Sequence, residues 1–397
     1  MPQDVPDNDR SAALPVRERL RLGLETVLGI PFTSGNAIEA FRNGDEIFPP
    51  MLEAIAAAEH RVEFLTFVYW TGDVAEKFVE ALSERARAGV EVMTMLDGFG
   101  ARPMSAELLE RMEEAGVEVR WFRPIPRLHV WQTDNRTHRK VLICDGVVGF
   151  TGGVGIASEW EGDAQDPKHW RDTHFRIRGP AVMGLRGAFY EDWMERELSV
   201  GPALARLTDP GRPGSVEMQV IPASASVGRS PIASLHDALI GLAERRIRIA
   251  TAYFSPTSDT TERLLEARAR GVEVDILIPG PYNDKRVSEL AGSEDIGALI
   301  EGGVRFWRYQ PTMYHNKLLT VDGELASIGS ANFNHRSVAK DDEIAVNVLD
   351  PDFTGLMDRH FEEDLERSER IGEGEWEDRG LIRRALEFGS RQGESET

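Results

Sequence analysis

The chain predicts an α/β protein built as two tandem lobes related by a pseudo-twofold. Three observations carry that expectation. First, Thr137-His138-Arg139-Lys140-Val141-Leu142-Ile143-Cys144-Asp145 returns 177 positions later as Tyr314-His315-Asn316-Lys317-Leu318-Leu319-Thr320-Val321-Asp322. Both copies read His-x-Lys-x4-Asp, and both reach glycine after six further residues, at Gly152-Gly153 and Gly329-Ser330. Second, the same series of segments leads into each copy: a helix, a strand opened by Gly-Val-Glu-Val, a second helix, then a Gly-Val strand. Third, strands alternating with helices imply α/β layers in each half, and 397 residues are enough for two cores.

Taken in order, residues 1–10 are polar and are expected to be disordered. Residues 16–30 read as a helix, with Leu20, Leu24, Val27 and Leu28 on one side. It packs on the body or lies at a membrane surface. The first lobe spans 34–207. It holds helices at 49–60, 71–88 and 105–115 and strands at 61–69, 89–96 and 116–122. Residues 208–230 are rich in Pro, Gly and Ser and read as a linker. The second lobe, 231–370, repeats the plan with helices at 233–244, 259–270 and 296–302 and strands at 246–253, 271–278 and 303–306. In each motif the apolar run forms a strand, so His138 and Lys140 share a face, as do His315 and Lys317. Asp145-Gly146 and Asp322-Gly323 are turn signals before a returning hairpin strand. A charged tail, 371–397, holds a short basic, apolar segment at 380–388, which docks on the body or touches membrane.

Composition narrows the function. Acidic residues outnumber basic ones, 67 to 46, for a net charge of −21, which argues against gripping nucleic acid by its phosphates. No uncharged run exceeds 13 residues, whereas a spanning helix needs about 20. The first ten residues lack the apolar core of a signal peptide, so a cytoplasmic location is expected. The single cysteine, Cys144, lies in the first apolar strand and reads as buried and inert.

The doubled motif points to phosphodiester exchange. One neutral imidazole attacks phosphorus and becomes a phosphohistidine. The other, as imidazolium, protonates the leaving alkoxide and then activates the acceptor alcohol. Lys140 and Lys317 stabilise the charged oxygens, and His138, His315, Asp145 and Asp322 complete the expected catalytic set. Each imidazole also needs an orienting acceptor. Asp172, 34 residues after His138, and Glu343, 28 after His315, are the candidates. Each motif has one histidine and no His-x3-His or dense carboxylate cluster, so no metal and no cofactor are expected. His174 reads as structural, and Trp160 and Trp170 either edge a lipid cleft or pack in the body.

These paired strands resemble the phospholipase D superfamily. Several stretches resemble bacterial cardiolipin synthases more narrowly: Leu96-Asp97-Gly98-Phe99-Gly100, His169-Trp170-Arg171-Asp172-Thr173-His174, Tyr314 to Asn334 through Ser327-Ile328-Gly329-Ser330, and Asp342-Glu343. The resemblance implies two phospholipase D-type α/β/α sandwich lobes with mixed sheets. It implies metal-free phosphatidyl transfer at the inner face of the cell membrane, with phosphatidylglycerol as donor, His138 as nucleophile and His315 as acid; the alternative is a phospholipase D-type phosphodiesterase, in which water replaces the alcohol. Gly153, Ser330 and Asn332 would support the phosphate. Gly155 stands where the first copy would have the counterpart of Asn332.

Overall fold

β-Branched and aromatic runs become strands, and nearly all of them join one sheet. The protein is described here by a computed structural model over residues 14–124, 134–195, 207–224, 230–283 and 293–372. The expected N-terminal polar stretch 1–10 and the basic, apolar segment 380–388 lie outside the described residues.

The first lobe contributes β1 (Thr33–Arg42), β2 (Arg61–Thr66), β3 (Glu91–Asp97), β4 (Glu118–Phe122), β5 (Val141–Cys144), β6 (Val148–Gly152) and β7 (Thr173–Arg178). The second contributes β8 (Val216–Ala223), β9 (Arg246–Thr251), β10 (Phe254–Ser255), β11 (Glu273–Pro279), β12 (Arg305–Tyr309), β13 (Lys317–Val321), β14 (Leu325–Gly329), β15 (Phe333–Asn334), β16 (Glu343–Leu349) and β17 (Ser368–Arg370). From one edge the order is β4-β3-β2-β5-β6-β7-β1, and from the other, after β17, β12-β11-β9-β13-β14-β16-β8. The two series match strand for strand and meet where β1 pairs antiparallel with β8. β2, β3 and β4 are parallel, as are β9, β11 and β12, while β5–β7 and β13, β14 and β16 run as antiparallel hairpins and returns.

This seam corrects the linker expectation. Residues 208–230 contain β8, which pairs with β16 over seven positions from Glu217 to Ala223. Prolines and glycines at 210–214 dominate the composition of the stretch, but Met218 and Ile221 are fully buried. The strand therefore forms through burial rather than local propensity. β1, for which the sequence predicts no element, is its counterpart.

The helices are α1 (Val16–Leu28), α2 (Asn43–Ala57), α3 (Asp73–Arg87), α4 (Ala106–Glu114), α5 (Val182–Trp193), α6 (Pro231–Leu242), α7 (Ser258–Ala269), α8 (Ser293–Glu301), α9 (His335–Ala339) and α10 (Pro351–Leu365). α2 begins six residues before the expected 49–60 and carries Pro49 and Pro50 inside. Glu46 in its first turn accepts from the Arg42 amide at 2.8 Å, which fixes the earlier start. Leu20 and Leu24 of α1 are buried in the second lobe's core, beside Leu235 and Leu239 of α6, so α1 is a packed helix. One core lies in each lobe. A third joins α5 and α10 to strands of both lobes, through Phe189, Phe353, Ile143 and Val346. That shared layer holds the two motifs in fixed relation.

Candidate active site

Both motifs arrive at the same end of the sheet. The first differs from expectation in where its strand begins: β5 starts at Val141, so His138 and Lys140 precede it, whereas Lys317 opens β13. The facing relation holds by a different device. Each lysine folds back on its own motif's histidine carbonyl, Lys140 Nζ to His138 O at 2.7 Å and Lys317 Nζ to His315 O at 2.5 Å.

Asp145 and Asp322 do not reach the imidazoles' cavity, a correction to the catalytic set. Each sits in a left-handed turn, φ 54° and 55°, at the far end of its motif strand. Asp145 accepts the amides of Glu59, His60 and Arg61, each at 2.8 Å. Asp322 accepts those of Glu244, Arg245 and Arg246 at 3.0, 2.7 and 2.9 Å. Each carboxylate thus ties the motif hairpin to the start of the neighbouring antiparallel strand, β2 or β9, by charge-assisted bonds.

The orienting acids are exchanged between lobes. Thr137 pairs in a parallel bridge with Asp342, and Tyr314 pairs in a parallel bridge with Arg171. The His138 amide donates to Asp342 O and the His315 amide to Arg171 O, both at 2.8 Å. The residue after each bridge is a motif histidine on one side and an acid on the other. Hence His138 Nδ1 lies 3.0 and 3.1 Å from the Glu343 carboxyl oxygens, and His315 Nδ1 lies 2.7 Å from Asp172 Oδ2. Nδ1 of each ring thus faces an acid, and Lys317 Nζ also lies 3.1 Å from His315 Nδ1 and 3.2 Å from its Nε2.

The supporting residues act on these acids. Ser330 Oγ donates to Glu343 and accepts the Ile344 amide at 3.0 Å. At Gly153 a Cβ would lie 2.2 Å from Asp172 Oδ1, so glycine there makes room for the acid. Asp172 also accepts Trp160 Nε1–H at 2.9 Å and the Thr173 amide at 2.8 Å. Gly155 leaves space for Val68 and Trp160, since a Cβ would meet Val68 at 2.6 Å and Trp160 at 3.1 Å. Asn332 is buried, its amide donates to Ser337 Oγ at 3.2 Å, and its Oδ1 has no hydrogen-bond partner.

Electrostatics follow from burial. Burial, reinforced by Lys317, lowers the His315 pKa to about 4 against the pull of Asp172. Burial lowers Lys140 to about 7, with Glu343 opposing and Lys317 repelling. Burial raises Asp172, but His315, Lys317 and the Trp160 hydrogen bond outweigh it and leave its pKa below the ordinary value. Burial raises Glu343 above its ordinary value despite Lys140 and Ser330. His174 is buried and held down at about 3 by desolvation. Burial pushes the Cys144 thiol far up, so it is inert. Among the described residues no group of three His, Cys, Asp or Glu side chains is placed to hold a metal ion.

His138, Lys140 and His315 line one cavity of about 590 Å³. Its walls are Phe67, Trp70, Phe99, Trp160, Trp170 and Tyr253, with Arg102 at its edge. Trp160 and Trp170 both flank the His315 ring, with centroids at 5.3 Å, and Phe67 meets His138 edge-on at 5.2 Å. Sequence reasoning missed Asp97, which sits under this wall. Its carboxylate accepts the Phe99 and Gly100 amides at 2.8 Å, Arg136 Nε at 3.1 Å and the Thr137 amide at 3.1 Å. It thereby couples the cavity wall to the residue before His138. Its place in the quoted Leu96–Gly100 stretch was the available signal.

Two lobes of one fold closing their paired histidines on a single cavity define a phospholipase D-type enzyme. The family described as "Cardiolipin synthase, PLD-like domain" matches residues 51–159 and 237–365, together more than half of the chain. The chain is 31% identical to cardiolipin synthase 1 of Bacillus anthracis, over 90% of this chain and 72% of that protein. It is 32% identical to cardiolipin synthase A of Pseudomonas aeruginosa, over 91% and 73%. The solved phosphatidylserine synthase of Haemophilus influenzae shares the fold, with a TM-score of 0.67 over 95% of this chain and 96% of that one at 14% identity. The chain belongs to the cardiolipin synthase, phospholipase D-like family and is a phosphatidyltransferase of the phospholipase D superfamily. No described helix is long and apolar enough to cross a membrane.

Proposed function

We propose that this enzyme makes cardiolipin from two phosphatidylglycerol molecules by double displacement, working peripherally at the inner face of the cell membrane. His138 Nε2 attacks the donor phosphorus, the bond to the glycerol headgroup breaks, and His315 gives that glycerol its proton. The primary hydroxyl of a second phosphatidylglycerol then attacks the phosphohistidine phosphorus. The P–N bond breaks, and His315 takes the hydroxyl proton. Lys140 and Lys317 offset charge on the phosphoryl oxygens. Nothing needs to be oxidised or reduced, and no cofactor takes part.

The observation that carries this reading is the pair of imidazoles on one aromatic-walled cavity, each oriented by the other lobe's acid. His315 rests neutral near pH 7, its pKa about 4 through burial and Lys317. The anionic diester's charge favours uptake of a solvent proton by this ring on substrate binding, and that is the proton the leaving glycerol receives. The names of the relatives support the choice of lipid.

Purified protein incubated with vesicles of labelled phosphatidylglycerol tests it. Cardiolipin and glycerol are expected in equal amounts, with phosphatidyl label trapped on the His138 peptide after an alkaline quench. Phosphatidic acid as the only lipid product would make the protein a hydrolase instead.

A further inference from the structure

Resting on that reading, we infer that Phe99 and Tyr282 form a paired aromatic wedge that seats the cavity mouth on the bilayer. Six large apolar side chains are strongly exposed among the described residues, and the only aromatic ones are Phe99 and Tyr282, at 42% and 40%. They occupy equivalent places in the duplication. Phe99 stands two residues after β3 and Tyr282 three residues after β11, its counterpart.

The first residues of the two loops are placed alike. Each begins with a glycine pressed on the carbonyl that ends the next strand. A Cβ at Gly98 would lie 2.9 Å from Phe122 O, and one at Gly280 would lie 2.3 Å from Tyr309 O. The start of each loop is therefore held close against its lobe. Both also leave the sheet at the cavity's end. Phe99 lines the cavity itself. Tyr253, which also lines it, leaves β9, the parallel neighbour of β11.

The cavity's size identifies what lies beyond its mouth. About 590 Å³ is the volume of a site for a drug-sized ligand. It takes a phosphoglycerol headgroup but not two acyl chains as well. The chains of donor and acceptor must stay in hydrocarbon while their headgroups react, so the rim has to sit at the lipid interface. Exposed aromatic rings suit that level, with an apolar body and tolerance of the headgroup region. Net charge opposes the attraction, because a chain of net −21 is repelled overall by anionic lipid. The docking is consequently apolar. It should strengthen, not weaken, as salt screens the repulsion.

Sedimentation of the full chain with phosphatidylglycerol vesicles, at low and at 0.5 M salt (about a 4 Å screening length), tests the inference. A parallel assay uses dispersed short-chain phosphatidylglycerol. The intact protein is expected to bind vesicles at least as well at high salt. Tyr282→Ser should weaken vesicle binding several-fold, and Phe99→Ser with Tyr282→Ser about tenfold or more. Tyr282→Ser should turn over dispersed lipid like the parent. A double variant that binds vesicles like the parent, or parental binding abolished by salt, would overturn the wedge. Failure of the parent to turn over dispersed lipid would instead overturn the proposed transfer reaction.

Discussion

The two half-sites share an imidazole and a lysine but not the character of the acid behind them. At His315 the acid is Asp172. It is the shorter side chain, is fed by an indole N–H and an amide, and is held below its ordinary pKa. At His138 the acid is Glu343, met by the Ser330 hydroxyl and drawn above its ordinary pKa by burial. The duplicated backbone thus delivers two equivalent nitrogens, while the surroundings shift the two acids in opposite directions. In the proposed mechanism His315 transfers protons and His138 carries the phosphoryl group, so the two acids would serve different steps. Symmetry gives the site its geometry, and departures from symmetry divide the labour.

The harshest way to break the comparison is to remove a ring. His138→Ala and His315→Ala should each lower turnover about 10⁴-fold or more, with unchanged circular dichroism. Residual activity in either variant near the parent's would mean the halves act independently. A sharper probe neutralises the acids one at a time. Asp172→Asn should lower kcat by about 10²–10³-fold and Glu343→Gln by about tenfold. Equal losses in kcat would erase the distinction drawn between them.

The mildest effect concerns the buried histidines behind each acid, His174 near Asp172 and His236 near Glu343. Burial lowers them to about 3 and about 4. Their folded pKa values lie below the unfolded value of about 6.5. They cost nothing above that pH, and the unfolded state gains protons first as pH falls. Stability should therefore drop between about pH 6.5 and pH 4. His236 contributes up to roughly 3 kcal/mol of that loss, at about 1.4 kcal/mol per pH unit. Asp192 and Asp341, raised by burial to about 7 and about 6, work in the opposite direction. Urea denaturation of His236→Gln across this range should show a shallower decline than the parent. An identical slope would remove His236 from the account.

Much of the architecture could be read before the structure. The helices at 73–87 and 106–114 and the strands leading into each motif fall within a few residues of expectation, because their apolar periodicity and glycine stops are local signals. β1 and β8 were not legible. Glycine and polar residues give β1 no strand signature, and β8 hides beside a proline-rich run. Only pairing partners distant in sequence make either a strand. At the site, both histidines, both lysines, Asp172 and Glu343 were found from spacing. Of the aromatic wall, Trp160 and Trp170 were candidates, but Phe67, Trp70 and Tyr253 were not, because they come from two loops, after β2 and after β9, with no shared motif.

Sequence alone determined the duplication, the two motif histidines and the two candidate acids, since a repeated spacing is visible without coordinates. Tertiary structure decided which acid serves which ring, and it withdrew Asp145 and Asp322 to the far end of their strands. The reason is that partner choice depends on bridges between segments some 140 to 205 residues apart, Thr137 with Asp342 and Arg171 with Tyr314. No property of either segment by itself contains that pairing.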